Sequence, residues 1–136
     1  MKSEPPDPKP APPWILVVDD DLMVREMIET VLADSGWTVK LADGAASALK
    51  QVAEAPAPPA LMICDVLMPK TDGLELTRRM LARVPDLKVV LISGHLEDTA
   101  WFPGDFNRLP LLRKPFKNQE LLTAVREALP NEDQTR

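Results

Sequence analysis

The sequence predicts an α/β domain, in which a five-stranded parallel sheet is doubly wound, with helices on both faces. Five short and mostly apolar segments alternate with longer amphipathic segments, which is the pattern of strands joined by helical crossovers. The first apolar run, WILVV at Trp14 to Val18, contains no polar residue, as expected of a central parallel strand covered on both faces. Pro and Gly lie between the segments, where turns are expected.

Length and composition limit the classes of function. The 136 residues suit one domain, and 45% hydrophobic with 27% charged residues is an ordinary globular balance. A net charge of −5 argues against a nucleic-acid or anionic-membrane partner. No apolar run approaches the roughly 20 residues that span a bilayer, and no signal peptide is evident. One cysteine, Cys64, and one histidine, His95, argue against a disulfide or zinc site. We expect a cytoplasmic protein.

The first half of the chain begins with a Pro-rich stretch, residues 1–13, which we expect to be a disordered tail. After the first strand, Asp21 is placed to cap a helix over Leu22–Ala33, which Gly36 ends. Trp37 to Leu41 alternates apolar and polar residues, which favours a strand near the sheet edge. A second helix follows Asp43-Gly44.

The second half repeats the alternation. Leu61–Cys64 is the third predicted strand, Asp72–Val84 a helix, and Leu87–Ile92 the fourth strand. The next helix should be short or irregular around Leu96–Phe102, because Pro103-Gly104 follows. A strand at Leu109–Leu112 and a helix at Asn118–Leu129 complete a domain over residues 14–129, and residues 130–136 form a short C-terminal tail.

Several polar residues follow the predicted strands directly. In a flavodoxin-like sheet of order 2-1-3-4-5, the first and third strands are neighbours, and the loops after strands one, three, four and five share a rim. That rim would gather Asp19, Asp20, Asp65, Ser93 and Lys114. Carboxylates with no His or Cys support suit a hard ion such as Mg²⁺. With a lysine and a hydroxyl alongside, they favour an aspartate that accepts a phosphoryl group.

Each of these residues has a plainer interpretation when it is taken singly. Asp19–Asp21 is typical of a turn with a helix cap, and Asp65 of a loop carboxylate. Ser93 and Lys114-Pro115 are typical of turns. Only the joint arrangement favours a functional site.

Four motifs carry a family resemblance. VVDDD from Val17, DVLMPKTDG from Asp65, ISG from Ile92 and RKPF from Arg113 resemble the receiver domains of two-component response regulators, in the family's order and approximate spacing. The resemblance covers about 115 residues, Trp14 to Leu129.

The resemblance implies a role for each rim residue. Asp65 is the phosphoacceptor, and Asp20, Asp65 and the backbone carbonyl of Leu67 bind Mg²⁺ directly, while Asp19 acts through a metal-bound water. Lys114 pairs with the carboxylate or its phosphoryl group, next to a cis Lys114-Pro115 bond. Ser93 is the hydroxyl that moves toward the phosphate.

Two departures concern the route by which the signal leaves. The family usually has Tyr or Phe three residues before the lysine, where this chain has Leu111. The fourth helix also looks short or broken. The LPLLRKPF ending resembles receivers associated with hybrid histidine kinases.

The expected function is a single-domain response regulator, not an enzyme with a separate substrate. It would take its phosphoryl group from a sensor or hybrid histidine kinase, or from a histidine phosphotransfer protein. As a monomer or weak dimer, it would then signal through a protein partner or by onward phosphotransfer. Because the chain ends soon after the last helix, we expect no attached output domain.

Two other functions stay open. One is a phosphorylation-independent docking module; the other, ranked last, is a hydrolase with an aspartyl-phosphate intermediate, because no second carboxylate follows Asp65 closely. Cys64 is expected to be a core residue. His95 is an exposed loop residue on the simplest interpretation, or a residue that tunes phosphoaspartate hydrolysis.

Overall fold

The computed structural model describes residues 12–68, 71–94 and 108–130. It contains seven strands: β1 (Trp14–Val18), β2 (Thr38–Ala42), β3 (Leu61–Asp65), β4 (Leu67–Met68), β5 (Thr71–Asp72), β6 (Lys88–Ser93) and β7 (Leu111–Arg113). The four helices within these described ranges are α1 (Leu22–Asp34), α2 (Ala45–Glu54), α3 (Gly73–Arg83) and α4 (Asn118–Ala128). The predictions for both tails, for His95 and for the short fourth helix concern residues outside the described ranges.

The main sheet is parallel and runs β2-β1-β3-β6-β7. Counted along the chain among these five strands, the order is 2-1-3-4-5, so the predicted topology is confirmed. β1 pairs with β2 on one side and β3 on the other, and β2 forms an edge of the sheet, as its alternating sequence predicts.

Hydrophobic residues fill both faces of the sheet, as the unbroken apolar strands predict. Along β1, Trp14, Leu16 and Val18 join the core under α2 and α3. Ile15 and Val17 join the core under α1 and α4. All five are buried, because neighbouring residues of a strand point to opposite faces. The helices thus cover the sheet in two pairs and leave the carboxyl ends of its strands at a rim.

Capping side chains set where the helices start. The carboxylate of Asp21 accepts a hydrogen bond from the Met23 N–H at 2.9 Å, which confirms the predicted cap of α1. Asp72, predicted as the first residue of its helix, is instead the N-cap of α3. Gly36 follows α1 with a φ of 96°, a conformation that favours glycine.

A small antiparallel ladder, β4 with β5, lies between β3 and α3, a feature absent from the sequence analysis. It pairs Leu67 with Asp72 and Met68 with Thr71. The chain therefore folds back on itself directly after Asp65, the last residue of β3.

Candidate functional site

Two buried carboxylates stand side by side at the rim of the sheet. Val18 and Cys64 are register partners on β1 and β3, so the residues that follow them, Asp19 and Asp65, come off adjacent strands. Asp19 is fully buried and Asp65 is 3% exposed. Buried carboxylates need partners, because removing a charge from water is costly.

Asp20, which is exposed, completes an acidic cluster. One carboxylate oxygen from each of Asp19, Asp20 and Asp65 lies within 4.8 Å of the other two. Within the described ranges, this is the group of potential metal ligands that the fold brings together. Oxygen-only donors fit a hard divalent cation such as Mg²⁺. The side chains present therefore suit the ion expected from the sequence.

Lys114 links the two buried carboxylates. Its Nζ lies 3.0 Å from Asp19 Oδ2 and 3.1 Å from Asp65 Oδ2. The backbone N–H of Lys114 donates to the carbonyl of Ser93 at 2.8 Å, which ties the loop after β7 to the end of β6. The Lys114-Pro115 bond is cis, as predicted.

The electrostatics of the cluster follow from burial and from this pairing. Burial, together with the charge of Asp19, raises the pKa of Asp65 to about 6, although Lys114 acts in the opposite direction. For Lys114, burial is the largest influence and lowers the pKa. The close pairing with Asp19 and the charges of both carboxylates outweigh it, so the pKa of Lys114 is raised.

Hydrogen bonds from backbone N–H groups fix the chain that follows Asp65. The Leu67 N–H donates to Asp65 Oδ1 at 3.2 Å, and the Val66 N–H donates to the Ile92 carbonyl at 2.8 Å. The Gly73 N–H donates to the Val66 carbonyl at 3.0 Å. Leu67 thus lies beside Asp65, and its role as a carbonyl ligand stays a prediction.

Ser93 is the last residue of β6 and is 1% exposed. Its strand neighbour Ile92 is the register partner of Asp65, so Ser93 lies at the same rim. The movement expected of its hydroxyl stays a prediction. Leu111, at the position where the family usually has an aromatic residue, is partly buried against the core under α2 and α3.

Cys64 serves as a core residue, as expected. Its side chain is fully buried, and burial, followed by the charge of Asp65, raises the pKa of the thiol. A thiol with a raised pKa stays protonated and unreactive at neutral pH.

Arg25 is a contact of the site that sequence reasoning missed. Its Nη1 donates to the backbone carbonyl of Asp19 at 2.7 Å, from the first turns of α1. This bond holds the turn that carries Asp19 and Asp20. The signal in the sequence was an arginine one helical turn after the Asp run, but such a residue is more often a solvated one.

Three large hydrophobic side chains are exposed near the acidic cluster. Leu22 is 54% exposed and Met23 78%, and both begin α1 directly after the Asp run. Leu67, 46% exposed, is two residues after Asp65. Among the described residues these are the exposed large hydrophobics, so apolar surface borders the charged site. No helix within the described ranges has the length and apolar character needed to cross a bilayer.

The sequence matches the family described as the response regulator receiver domain over residues 15–126. Among curated proteins, it is 38% identical over 116 residues to the response regulator MprA of Mycobacterium ulcerans. That alignment covers 85% of this chain and 49% of the relative. The chain therefore spans about half the length of the curated relatives it matches.

Solved structures match the fold. The receiver domain of NtrX from Brucella abortus aligns with a TM-score of 0.77 and 31% identity, covering 85% of this chain and 98% of that one. A response regulator receiver domain protein from Clostridium thermocellum has a TM-score of 0.77 and 26% identity, and covers 88% of this chain and 96% of its own.

Proposed function

Because the chain belongs to the response regulator receiver family, we propose that it is a phosphoacceptor switch. In it, Asp65 takes a phosphoryl group from the phosphohistidine of a histidine kinase or a histidine phosphotransfer protein. The observation that carries the proposal is the contact of one Asp65 oxygen with Lys114 Nζ at 3.1 Å, beside the acidic cluster. A nucleophilic carboxylate, a fixed cation and candidate metal ligands are then together at one rim.

Mg²⁺ would be held directly by the carboxylates of Asp20 and Asp65 and the Leu67 carbonyl, and by Asp19 through a water. When bound, such an ion offsets negative charge on the oxygens of the transferring group. Lys114 offers an ammonium to the same oxygens, and Ser93 a hydroxyl. The protein's part is to hold these groups in place before the donor arrives.

The step itself exchanges one bond to phosphorus for another. An Asp65 carboxylate oxygen attacks the phosphorus, an O–P bond forms, and the P–N bond to the donor imidazole breaks. The departing imidazole keeps the bonding electron pair and takes up a proton. Hydrolysis later returns the carboxylate and releases inorganic phosphate. The chain thus acts on its own Asp65 and is not an enzyme with a separate substrate.

The partner that delivers the phosphoryl group must approach this rim. Leu22, Met23 and Leu67 expose apolar surface around the acidic cluster, and a helix that presents its histidine among apolar side chains would cover them. Output passes through another protein or by onward phosphotransfer. The proposal also includes a cytoplasmic setting, a monomer or weak dimer, and no contact with nucleic acid. It further includes a relationship to the receivers that are associated with hybrid histidine kinases.

A second candidate is a docking module that works without phosphorylation. Leu111 favours it, because the position lacks the aromatic ring through which the family usually reports phosphorylation. The complete set of Asp19, Asp20, Asp65, Ser93 and Lys114 favours the switch.

Phosphorylation of the intact chain by acetyl phosphate in the presence of Mg²⁺ tests the choice. We expect a mass gain of one phosphoryl group that is absent when EDTA removes the ion and absent in Asp65→Asn. Asp72→Asn is the matched control, because its carboxylate caps α3 nearby; it should still be labelled.

If neither acetyl phosphate nor a panel of histidine kinases labels the protein, the docking module is the better account. Labelling that persists in Asp65→Asn would move the phosphoacceptor to another residue.

A further inference from the structure

Gly73, the first residue of α3, lies directly against the backbone of the proposed phosphoacceptor. A Cβ added there would overlap the carbonyl oxygen of Asp65 and would stand 2.8 Å from Val66 Cα and 2.9 Å from the carbonyl carbon of Asp65. Distances under 3.0 Å are essentially never seen for real Cβ atoms. Since every opposing atom belongs to the main chain, no change of rotamer could make room.

Other contacts prevent α3 from moving away. The Gly73 N–H donates to the Val66 carbonyl at 3.0 Å. The hydroxyl of Thr77, which is fully buried, donates to the Gly73 carbonyl at 2.8 Å, but this bond lies within α3 and fixes only the first turn of the helix. The Cys64 thiol lies 3.4 Å from the Asp65 carbonyl and 3.9 Å from that of Gly73. Buried polar contacts therefore join the start of α3 to the end of β3.

The opposite side of Asp65 carries the site. Its Oδ2 is 3.1 Å from Lys114 Nζ, and its Oδ1 accepts from the Leu67 N–H. The Val66 N–H is fixed to β6. Pressure from α3 on the Asp65 carbonyl would thus shift the carboxylate relative to Lys114, Asp19 and Asp20, which come from other elements.

We propose that Gly73 is a positioning residue for phosphorylation. Its missing side chain lets α3 rest on the Asp65 carbonyl, and this close approach sets where the Asp65 carboxylate and Leu67 stand relative to Asp19, Asp20 and Lys114. The inference rests on the proposed function and extends it from the reacting groups to the backbone contact behind them.

Three variants test the proposal. Gly73→Ala adds one methyl group against Asp65, whereas Gly94→Ala adds the same group where a Cβ meets no atom of the described residues within 4 Å. Thr77→Val removes the hydroxyl bond to Gly73 and destabilises the same helix without adding volume. Mg²⁺ affinity, labelling by acetyl phosphate and unfolding would be measured for each, at a temperature where each is folded.

Gly73→Ala should slow labelling on the order of a hundredfold, the scale of a displacement of about 1 Å at a reacting centre, and should weaken Mg²⁺ binding. Gly94→Ala should match the wild type in Mg²⁺ affinity and in unfolding. Thr77→Val should unfold more readily and yet bind Mg²⁺ and label normally. Wild-type Mg²⁺ affinity and labelling in Gly73→Ala would overturn the proposal. So would equal losses in Thr77→Val, because a merely structural role would then suffice.

A second measurement needs no variant. Hydrogen exchange of the Gly73 amide in the wild-type protein should be as slow as that of the core strands, because its bond to Val66 must persist. Rapid exchange would also overturn the proposal, even if Gly73→Ala did not fold. Failure of the wild type to label would count against the proposed function, and the Mg²⁺ affinities and the exchange rate would still decide the role of Gly73.

Discussion

Lys114 stands between two carboxylates that would otherwise repel each other. Its Nζ contacts both Asp19 and Asp65, while Asp20 adds a third carboxylate within 4.8 Å. One ammonium cannot balance three carboxylates, so the ionised cluster keeps an excess of negative charge that a divalent cation would offset. The arrangement is therefore less stable without metal than its contacts alone suggest.

The dependence of stability on pH should reveal the cost of burying the Asp65 charge beside that of Asp19. The pKa of Asp65 rises from 3.8 to about 6 on folding, so the folded state holds this proton more tightly. The contribution of Asp65 to the free energy of unfolding then falls as pH rises through that window. In EDTA, Asp65→Asn should exceed the wild type in stability above pH about 7 by on the order of 1 kcal/mol, less than the full pKa shift would give because solvent screens part of the charge.

Urea unfolding of both proteins at a series of pH values measures this difference. The difference should shrink toward pH about 4, where Asp65 is neutral in the folded state. If the stability difference between the two proteins did not change with pH, ionisation of Asp65 would not destabilise the fold. Added Mg²⁺ should reduce the advantage of Asp65→Asn.

At the scale of single residues, the sequence was sufficient to predict those site residues whose place depends only on their position along a strand. Asp19 and Asp65 could be predicted to meet because each ends a strand of a parallel sheet. Arg25 and Gly73 could not, because their importance comes from the backbone atoms that they approach across a turn. Such distances depend on how helix and strand pack, which no local pattern encodes.

At the scale of elements, α3 depends on a cap that also closes the loop after the phosphoacceptor strand. Asp72 Oδ1 accepts from the N–H groups of Leu74 at 2.9 Å and Glu75 at 3.3 Å. Asp72 also pairs with Leu67 in the small ladder. The same residue thus ends the loop and begins the helix.

Asp72→Ala should lower the free energy of unfolding by about 1 kcal/mol, because two N–H groups of the first turn lose their acceptor. Asp72→Ser should restore most of the loss, since a serine hydroxyl can accept the same bonds. Chemical denaturation measures both. An alanine variant as stable as the wild type would show that water replaces the cap at no cost.

Element type was predictable because the apolar periodicity is strong, and the boundaries were less so. The predicted strand at Leu109–Leu112 is β7 at Leu111–Arg113, and the β4–β5 ladder was missed. A pair of two-residue strands buries too little apolar surface to leave a pattern. Its formation depends on the turn geometry around Asp65.

At the scale of the whole molecule, metal binding should be linked to folding, because the candidate ligands come from the ends of two different strands. Mg²⁺ at a hundred times its dissociation constant should stabilise the fold by about 2.7 kcal/mol. Asp20→Asn should lose most of this gain, and its metal-free stability should equal or slightly exceed that of the wild type, since the removed charge is exposed and screened. Asp86→Asn, an exposed acid between α3 and β6, is the matched control.

Thermal unfolding with and without Mg²⁺ gives the comparison. Equal gains in the wild type and Asp20→Asn would remove Asp20 from the ligand set. A loss of the gain in Asp86→Asn would show that the effect of the ion is not specific to the rim.

The two glycines compared above also differ in what mutation of the gene can do to them. Any single-base missense change in a glycine codon introduces a residue that has a Cβ. At Gly94 that atom would meet none of the residues that the structure describes, and the change to alanine should be tolerated. At Gly73 every such substitution would place its Cβ against main-chain atoms of Asp65 and Val66. A point mutation therefore cannot replace Gly73 without a clash, although Gly73 is not one of the residues that would react.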